Sequence, residues 1–244
     1  MKKIFLYILA GSLCFAACKK DDEVETFVEP EDINVRNSYD EQAIQKFMDN
    51  NYLDTQGNIK AFTSDAADDN EKKLSELNPQ KLPSGVIYIK RTGAQPEDTT
   101  PPSTGVAIED STQIRTMMRA NYYLATDVDG NVSLGNAGVL LNTIDGNGSP
   151  TTDPMFYYVK KSVKTSVGQS DSNYYEIKGL KEGLKYFTGF ENLLNESSYN
   201  LQGVIIVPSK AAFARNANYY NLQNASFVFS FQIYGAKHRP SAQQ

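Results

Sequence analysis

The residues of this chain that could take part in chemistry are mainly aromatic rings. Its 244 residues include 15 Tyr and 12 Phe, whereas there is no Trp, one His and two Cys, both Cys lying within the first 18 residues. A globular part this poor in imidazole and thiol groups lacks the usual ligands of zinc and iron. We therefore predict no metal site, no cofactor and no catalysis by Cys or by His238. Composition alone leaves the chemistry of Asp and Glu open.

One acidic segment imitates the start of a calcium-binding loop. The run Asp127-Val128-Asp129-Gly130-Asn131 has the first carboxylates of such a loop, but Val132 and Gly138 stand where the loop needs a Gly and an acid. An Asp-Gly pair between two apolar runs is instead typical of a two-residue hairpin turn. We predict a hairpin turn at this position.

The charge balance argues against a nucleic-acid partner. The chain holds 24 Lys and Arg against 29 Asp and Glu, a formal net charge of -5, and affinity for phosphate backbones comes mainly from clustered basic residues. The length fits one main domain with short extensions, because single domains usually hold about 100 to 200 residues. We predict a single main domain that does not bind nucleic acid.

The N-terminus has the composition of a targeting segment. Lys2 and Lys3 precede a mostly apolar stretch, residues 4–17, which is shorter than the ~20 residues that a membrane-spanning helix needs. The stretch ends Ala16-Ala17-Cys18, which resembles the lipobox of bacterial lipoproteins. That resemblance implies a signal peptide at 1–17, acylation of Cys18 with palmitate or a similar chain, and a lipoprotein of the outer membrane. The alternative is an ordinary signal peptide with an incidental cysteine.

The residues that follow Cys18 are acidic. Asp21-Asp22-Glu23 resembles the surface-export signal of Bacteroidetes lipoproteins, while a solvated tether has the same acidic, Pro-containing composition. Both interpretations stay open. We assign residues 18–37 to a lipidated acidic tether, with exposure at the cell surface as the expectation from the first interpretation.

The tether is followed by a helical extension, residues 38–80. Ser38 and Glu41 have the spacing of a capping box, and Ile44, Phe47 and Met48 follow at helical spacing. We predict a short amphipathic helix from about 39 to 51. The remainder of the extension is strongly polar and permits at most a solvated helix.

We predict a sheet domain at residues 81–237, followed by a polar tail at 238–244. Short apolar runs at 86–89, 114–124, 156–159, 204–207 and 227–234 predict strands, and the last alternates like a half-buried strand. Thr188 and Glu191 form a second capping-box pattern, which predicts a helix carrying Phe190. A sheet needs its apolar face covered. The fold class is therefore predicted as α+β, a curved antiparallel sheet packed on one short helix.

Three segments in the second half of the chain resemble the FKBP-type peptidyl-prolyl isomerases. The family's helix opens with Gly, an aromatic residue and Glu, which resembles Gly189-Phe190-Glu191-Asn192. A strand ending in Pro-Ser and a closing strand follow in the family, and they resemble residues 204–214 and 224–233. Weaker likenesses lie at 82–88 and 121–130. The resemblance spans roughly residues 82–234 with an unmatched insertion at 139–173, and it implies a divergent Bacteroidetes lipoprotein of this family with an FKBP-like fold.

The resemblance implies a cup of aromatic rings that holds a prolyl group. Isomerisation crosses a barrier of ~20 kcal/mol set by amide resonance, so a dry pocket that favours the twisted amide suffices. Phe190 would form the floor beneath the prolyl ring. Tyr123 would form part of the wall, and a shift of one residue in the alignment would assign that place to Tyr122. The implied catalytic residues are Tyr123, Phe187, Phe190, Phe213 and Phe229, with Tyr186 as a substrate-binding residue.

The chain departs from the family pattern at several of these positions. Asp129-Gly130 is followed by Asn131-Val132 where the family has Phe-Asp, Phe213 replaces a tyrosine, and Ala214 replaces a glycine. A lost hydrogen-bond donor costs about 1 to 3 kcal/mol of transition-state stabilisation.

Three functions therefore remain open. The first is a prolyl isomerase or chaperone-like folding helper that acts on proline-containing peptides or exported proteins. The second is a catalytically degenerate peptide- or protein-binding lipoprotein of the same fold. The third is a glycan-binding surface lipoprotein that uses its tyrosines.

Overall fold

The computed structural model describes residues 27–64, 67–145 and 148–240. The predictions for the signal peptide, for Cys18 and for the acidic run at 21–23 lie outside these residues. Within the described ranges, every helix is too short or too polar to cross a lipid bilayer.

The described ranges contain three α-helices and eleven strands, joined by turns and by single turns of 3₁₀ helix. In chain order they are α1 (Ile33–Asp49), β1 (Asn51–Leu53), β2 (Ile59–Ala61), β3 (Gln80–Lys81), β4 (Ile87–Lys90), β5 (Val106–Ala107), β6 (Thr112–Val128), β7 (Asn131–Asn142), β8 (Thr151–Thr152), α2 (Lys161–Val167), α3 (Lys178–Leu184), β9 (Thr188–Gly189), β10 (Gly203–Val207) and β11 (Ala225–His238).

Seven of the strands form one antiparallel sheet. Its order is β3-β4-β10-β11-β6-β7, and β8 pairs with the part of β6 that β7 does not reach. β1 pairs with β2 and β5 pairs with β9 in two small ladders. An N-terminal helix, an antiparallel sheet and short helices confirm the predicted α+β class.

Strand β11 is the centre of the sheet and is covered on both faces. Phe227, Phe229 and Phe231 point to the face that we call the inner face, where they join the main hydrophobic core. Ser226 and Ser230 point to the opposite, outer face and are also buried. The predicted half-buried strand is therefore wrong, because α1 and the β1–β2 hairpin cover the second face.

The inner face is covered by α3. Leu180 and Leu184 lie one helical turn apart and are fully buried in the main core. Gly179 and Gly183 face β10, where an added Cβ would come within 2.5 Å of Val207 and 2.8 Å of Ile205. The two glycines let the helix approach the sheet closely.

The predicted helix at Thr188 is wrong. Thr188–Gly189 forms β9, and the residues after it follow β11 instead of turning. The amide of Phe190 donates to the carbonyl of Ile233 at 3.0 Å, and the amide of Leu193 donates to the carbonyl of Tyr234 at 2.6 Å. Because these amides bond to a strand, a helix cannot form here.

Two other boundaries differ from the prediction. Helix α1 begins at Ile33, since the side chain of Asp32 caps it by accepting from the amide of Asn34 at 2.8 Å. Residues 33–37, which we assigned to the tether, therefore belong to α1. The run 156–159 forms a turn and not a strand, because the amides of Tyr157 and Tyr158 both bond to the carbonyl of Pro154.

The predicted hairpin turn at Asp129-Gly130 is confirmed. The two residues have φ of 53° and 77°, the left-handed pair that a two-residue turn of this type requires. They join β6 to β7.

Helix α1 is fixed to the sheet by one buried arginine. The guanidinium of Arg36 donates to the carbonyl of Ala125 in β6 at 2.8 Å, to the carbonyl of Asn224 just before β11 at 3.2 Å, and to Asp40 at 2.7 Å. Asp40 in turn accepts from the amide of Ser209 at 2.8 Å. Arg36 and Asp40 therefore tie the helix to three segments of the sheet domain.

We expect replacement of Arg36 by Ala to lower the free energy of unfolding by about 3 to 5 kcal/mol, because Asp40 would remain buried without its partner. Lys81→Ala is the matched control, since Lys81 also bonds to α1, through Glu41, but both side chains are more than half exposed. Loss of the Lys81–Glu41 ion pair should lower the free energy of unfolding by about 1 kcal/mol or less. Denaturant unfolding followed by circular dichroism measures both, and equal losses would contradict this account of α1.

Candidate functional site

Three of the predicted site residues meet on the inner face of the sheet. Phe187, Phe213 and Phe229 belong to one core, and their exposed fractions are 2%, 3% and 0%. The ring of Phe187 lies 4.9 Å from that of Phe231, and the ring of Phe213 lies 5.9 Å from that of Phe227. Phe187 and Phe213 therefore pack against rings of β11, and all three side chains present almost no surface to solvent.

Phe190 does not form a floor beneath these rings. Its side chain is 6% exposed, and its backbone is bonded along β11. The helix that packs on the sheet is instead α3, Lys178–Leu184. Leu180 and Leu184 are the side chains that this helix places in the core, and both are aliphatic.

Tyr123 lies on the outer face, away from the other predicted rings. It pairs in register with Ser226, and its ring centroid is 5.7 Å from that of Phe47 in α1. Tyr122, the alternative from a one-residue shift, packs against the inner core. Because side chains alternate along a strand, Tyr123 and Phe229 cannot share one cup.

Tyr186 lies at the surface beside β4. Its side chain is 43% exposed, and its ring stacks on that of Tyr88 with centroids 4.5 Å apart. It comes after the packed helix and not before it. A role in substrate binding stays a prediction.

The segment after Phe213 holds a buried hydroxyl that sequence reasoning missed. The ring of Tyr220 lies 5.8 Å from that of Phe213, and its hydroxyl oxygen is buried without a hydrogen-bond partner in the described structure. Burial raises the pKa of Tyr220, and Tyr219 and Glu176 add to the effect. Ala214, with φ of 50°, has the left-handed backbone for which glycine is the common residue.

The outer face carries an open cleft of about 420 Å³. Tyr123, Val228 and Ser230 line it from β6 and β11, one wall is the β1–β2 hairpin, and Asp145 lies in another wall. We call it the outer cleft. Its residues come from separate segments of the chain, so no local sequence pattern could have indicated it.

Two hydrogen-bonded groups organise the outer cleft. Asn121 donates from Nδ2 to the Tyr123 hydroxyl at 3.2 Å, and Asn58 donates to the Tyr199 hydroxyl at 3.3 Å. The Asn121 Oδ1 atom is buried and has no hydrogen-bond partner in the described structure. The aromatic rings of the cleft are thus held in place by amides, and one acceptor remains unused.

The carboxylates of the outer cleft are satisfied by protein groups. Asp54 accepts from the side chain of Asn58 at 2.8 Å and from the amides of Gln56 and Asn58. Burial alone would raise the pKa of Asp54, but these hydrogen bonds and nearby Lys60 outweigh it and lower the pKa. Asp145 pairs with Arg119 at 2.9 Å. The cleft therefore contains ions of both signs in balance.

The described residues contain no cluster of His, Cys, Asp and Glu with the geometry of a metal site. Strand β7 begins at Asn131, directly after the Asp129-Gly130 turn. The carboxylates of the calcium-like run therefore belong to a hairpin.

Comparison with known proteins gives weak structural likeness alone. No family model matches the chain, and no curated protein matches it. FkpA from Escherichia coli shares 16% identity with a TM-score of 0.31, and the alignment covers 66% of this chain and 53% of that one. The chain thus spans about half the length of FkpA.

The peptidyl-prolyl cis-trans isomerase from Pseudomonas syringae pv. tomato str. DC3000 shares 10% identity with a TM-score of 0.39, covering 86% of this chain and 100% of that one. The chain is similar to these structures at low identity. That likeness does not extend to a site or an activity.

We expect Tyr220→Phe to raise the free energy of unfolding by about 1 kcal/mol, because it removes a buried hydroxyl that makes no hydrogen bond to any described residue. Tyr157→Phe is the matched control. The Tyr157 hydroxyl is also buried, but it donates to the carbonyl of Thr112 at 2.7 Å, so its removal should cost about 1 kcal/mol. Denaturant unfolding of both variants tests this. Destabilisation by Tyr220→Phe would show that the hydroxyl has a partner.

Proposed function

We propose that this chain is a lipid-anchored protein of the cell envelope that binds a ligand on an FKBP-like sheet without isomerising prolyl bonds. The observation that carries the proposal is the burial of Phe187, Phe213 and Phe229, which are at most 3% exposed and pack against other rings. It shares the loss of catalysis with the second of the three functions that the sequence left open, and it does not by itself specify the class of ligand.

A closed core does not meet the physical needs of the isomerase reaction. A catalyst must bind the twisted amide better than the planar one, so the prolyl ring has to lie against the aromatic side chains while donors face the rotated carbonyl. In this structure those side chains pack against other rings of the core. Admitting a prolyl ring would require separating rings whose burial stabilises the fold, at a cost of roughly 1.5 to 3 kcal/mol for each ring exposed.

The outer cleft is a better binding site for a ligand than the closed inner core. It is open and has a volume of about 420 Å³, within the ~300 to 1,000 Å³ that is typical of small-molecule sites. It also contains Tyr123, one of the predicted site residues that lie outside the closed core. We assign ligand binding to this cleft.

Prolyl isomerisation remains the second candidate function, and one observation favours it. The orphan hydroxyl of Tyr220 lies next to Phe213, the position where the family resemblance expects a tyrosine. A buried polar group without a partner calls for an explanation. If the inner core opened, Tyr220 would supply the donor that Phe213 lacks.

An isomerase assay separates the two candidates. We expect the full chain, purified in detergent, not to accelerate the cis-to-trans relaxation of a proline tetrapeptide, because the rings are closed. The relaxation time should stay at the spontaneous value of roughly 10 to 100 s at 25 °C. Acceleration proportional to protein concentration would contradict the proposal. Loss of that acceleration in Tyr220→Phe, with Tyr157→Phe still active, would then identify the second candidate as the function.

The membrane anchor is a further part of the proposal. Each buried CH₂ of an acyl chain contributes about 0.8 kcal/mol of membrane affinity, so an acylated Cys18 would hold the body at a bilayer without a spanning helix. The lipobox-like Ala16-Ala17-Cys18 supports this assignment.

We expect Cys18→Ala to abolish incorporation of labelled palmitate and to move the protein from the membrane fraction to the soluble fraction. Cys14→Ala is the matched control and should retain both the label and the membrane location, because Leu13 precedes Cys14 and the lipobox pattern ends at Cys18. Fractionation with metabolic labelling measures both variants. Labelling of the Cys18 variant would contradict the assignment.

A further inference from the structure

The charges of the outer cleft do not favour a charged ligand. Arg119 is paired with Asp145, which also accepts from Asn142 at 2.7 Å, and Asp54 is satisfied by its own turn beside Lys60. An anion entering the cleft would meet two carboxylates, and a cation would meet two basic groups. The cleft therefore suits a polar ligand without net charge.

The polar groups of the cleft include both donors and acceptors. Asn121 supplies a buried Oδ1 without a partner in the described structure, Ser230 supplies a hydroxyl, and Arg119 and Lys60 supply N–H groups. A hydroxyl group both donates and accepts hydrogen bonds, so several hydroxyls on one ligand match such a mixture. A buried acceptor left unpaired costs free energy, which a ligand hydroxyl at Asn121 would recover.

The aromatic rings of the cleft add an apolar surface. The ring centroids of Phe47 and Tyr123 lie 5.7 Å apart, with an angle of 56° between the ring planes, and Tyr199 lines the same cleft. Such rings offer large rigid faces that also tolerate polar surroundings. Small-molecule sites are usually mainly apolar, whereas this one combines a few rings with many polar side chains. The matching ligand has hydroxyl edges and C–H faces.

A peptide fits the outer cleft less well. Extended peptides commonly bind by adding a strand to a sheet edge, but the cleft lies over the middle of β6 and β11. There Arg119 pairs with Ser230 and Asn121 pairs with Val228 in a continuous ladder. The backbone groups beneath the cleft are already used.

We propose that the outer cleft binds a neutral saccharide, with Tyr123 as the stacking surface and Asn121 as the acceptor for a sugar hydroxyl. This inference rests on the proposed function, since it names the ligand class of the same cleft.

The test is calorimetric titration of the full chain, held in a detergent without a sugar headgroup. The probes are three panels: neutral trisaccharides of glucose, mannose and galactose, the corresponding uronic-acid oligosaccharides, and proline-containing peptides. We expect a neutral trisaccharide to bind. Tyr123→Leu, which keeps apolar contact with Phe47 but removes the ring, should weaken binding about tenfold, and Tyr123→Phe should retain most of it.

Tyr219→Ala is the control variant, because Tyr219 is 44% exposed and lies outside the cleft; its affinity should match that of the unmodified chain. Circular dichroism verifies that each variant is folded. Binding of peptides or charged oligosaccharides alone, still weakened by Tyr123→Leu, would overturn the saccharide inference and leave the proposed function standing. Saccharide binding that Tyr123→Leu does not change would overturn the assignment to this cleft. Absence of binding in all three panels would overturn both.

Discussion

The two faces of strand β11 differ in side-chain size, and the rest of the structure depends on that difference. Because side chains alternate along a strand, Phe227, Phe229 and Phe231 point inward, whereas Ser226 and Ser230 point outward. Large rings fill the inner side, so that surface is closed. Small polar side chains leave room on the outer side, where Ser230 and Val228 line an open cleft. The rings of the inner face are therefore structural, and the accessible cleft lies on the outer face.

The outer cleft exists because the N-terminal extension folds onto the sheet. Arg36 carries this attachment, since it is fully buried and bonds to the ends of β6 and β11 as well as to Asp40. The β1–β2 hairpin that follows α1 then forms a wall of the cleft. A buried ion pair contributes little net stability compared with apolar packing, but here it determines where the helix lies. A site on the outer face is thus built jointly by the extension and the sheet domain.

The sequence predicted the sheet better than the site. Alternating and β-branched runs located β4, β10 and β11, and an Asp-Gly pair located the β6–β7 turn, because those signals are local. The capping-box pattern at Thr188 was misleading because backbone bonds to β11 compete with helix formation there, while the Leu180 and Leu184 spacing marks the real helix. Burial of the outer face and the cleft could not be predicted, since both require segments far apart in the chain to meet.

The inner rings are closed to solvent, whereas Tyr123 in the outer cleft is accessible. The most direct measurement is the relaxation of Phe and Tyr ring protons in the presence of a neutral, soluble paramagnetic probe, recorded by NMR on selectively labelled full-length protein. We expect strong enhancement for Tyr123 in the outer cleft and protection for Phe213 and Phe229, which are 3% and 0% exposed. Strong enhancement at Phe213 and Phe229 together with protection of Tyr123 would contradict it.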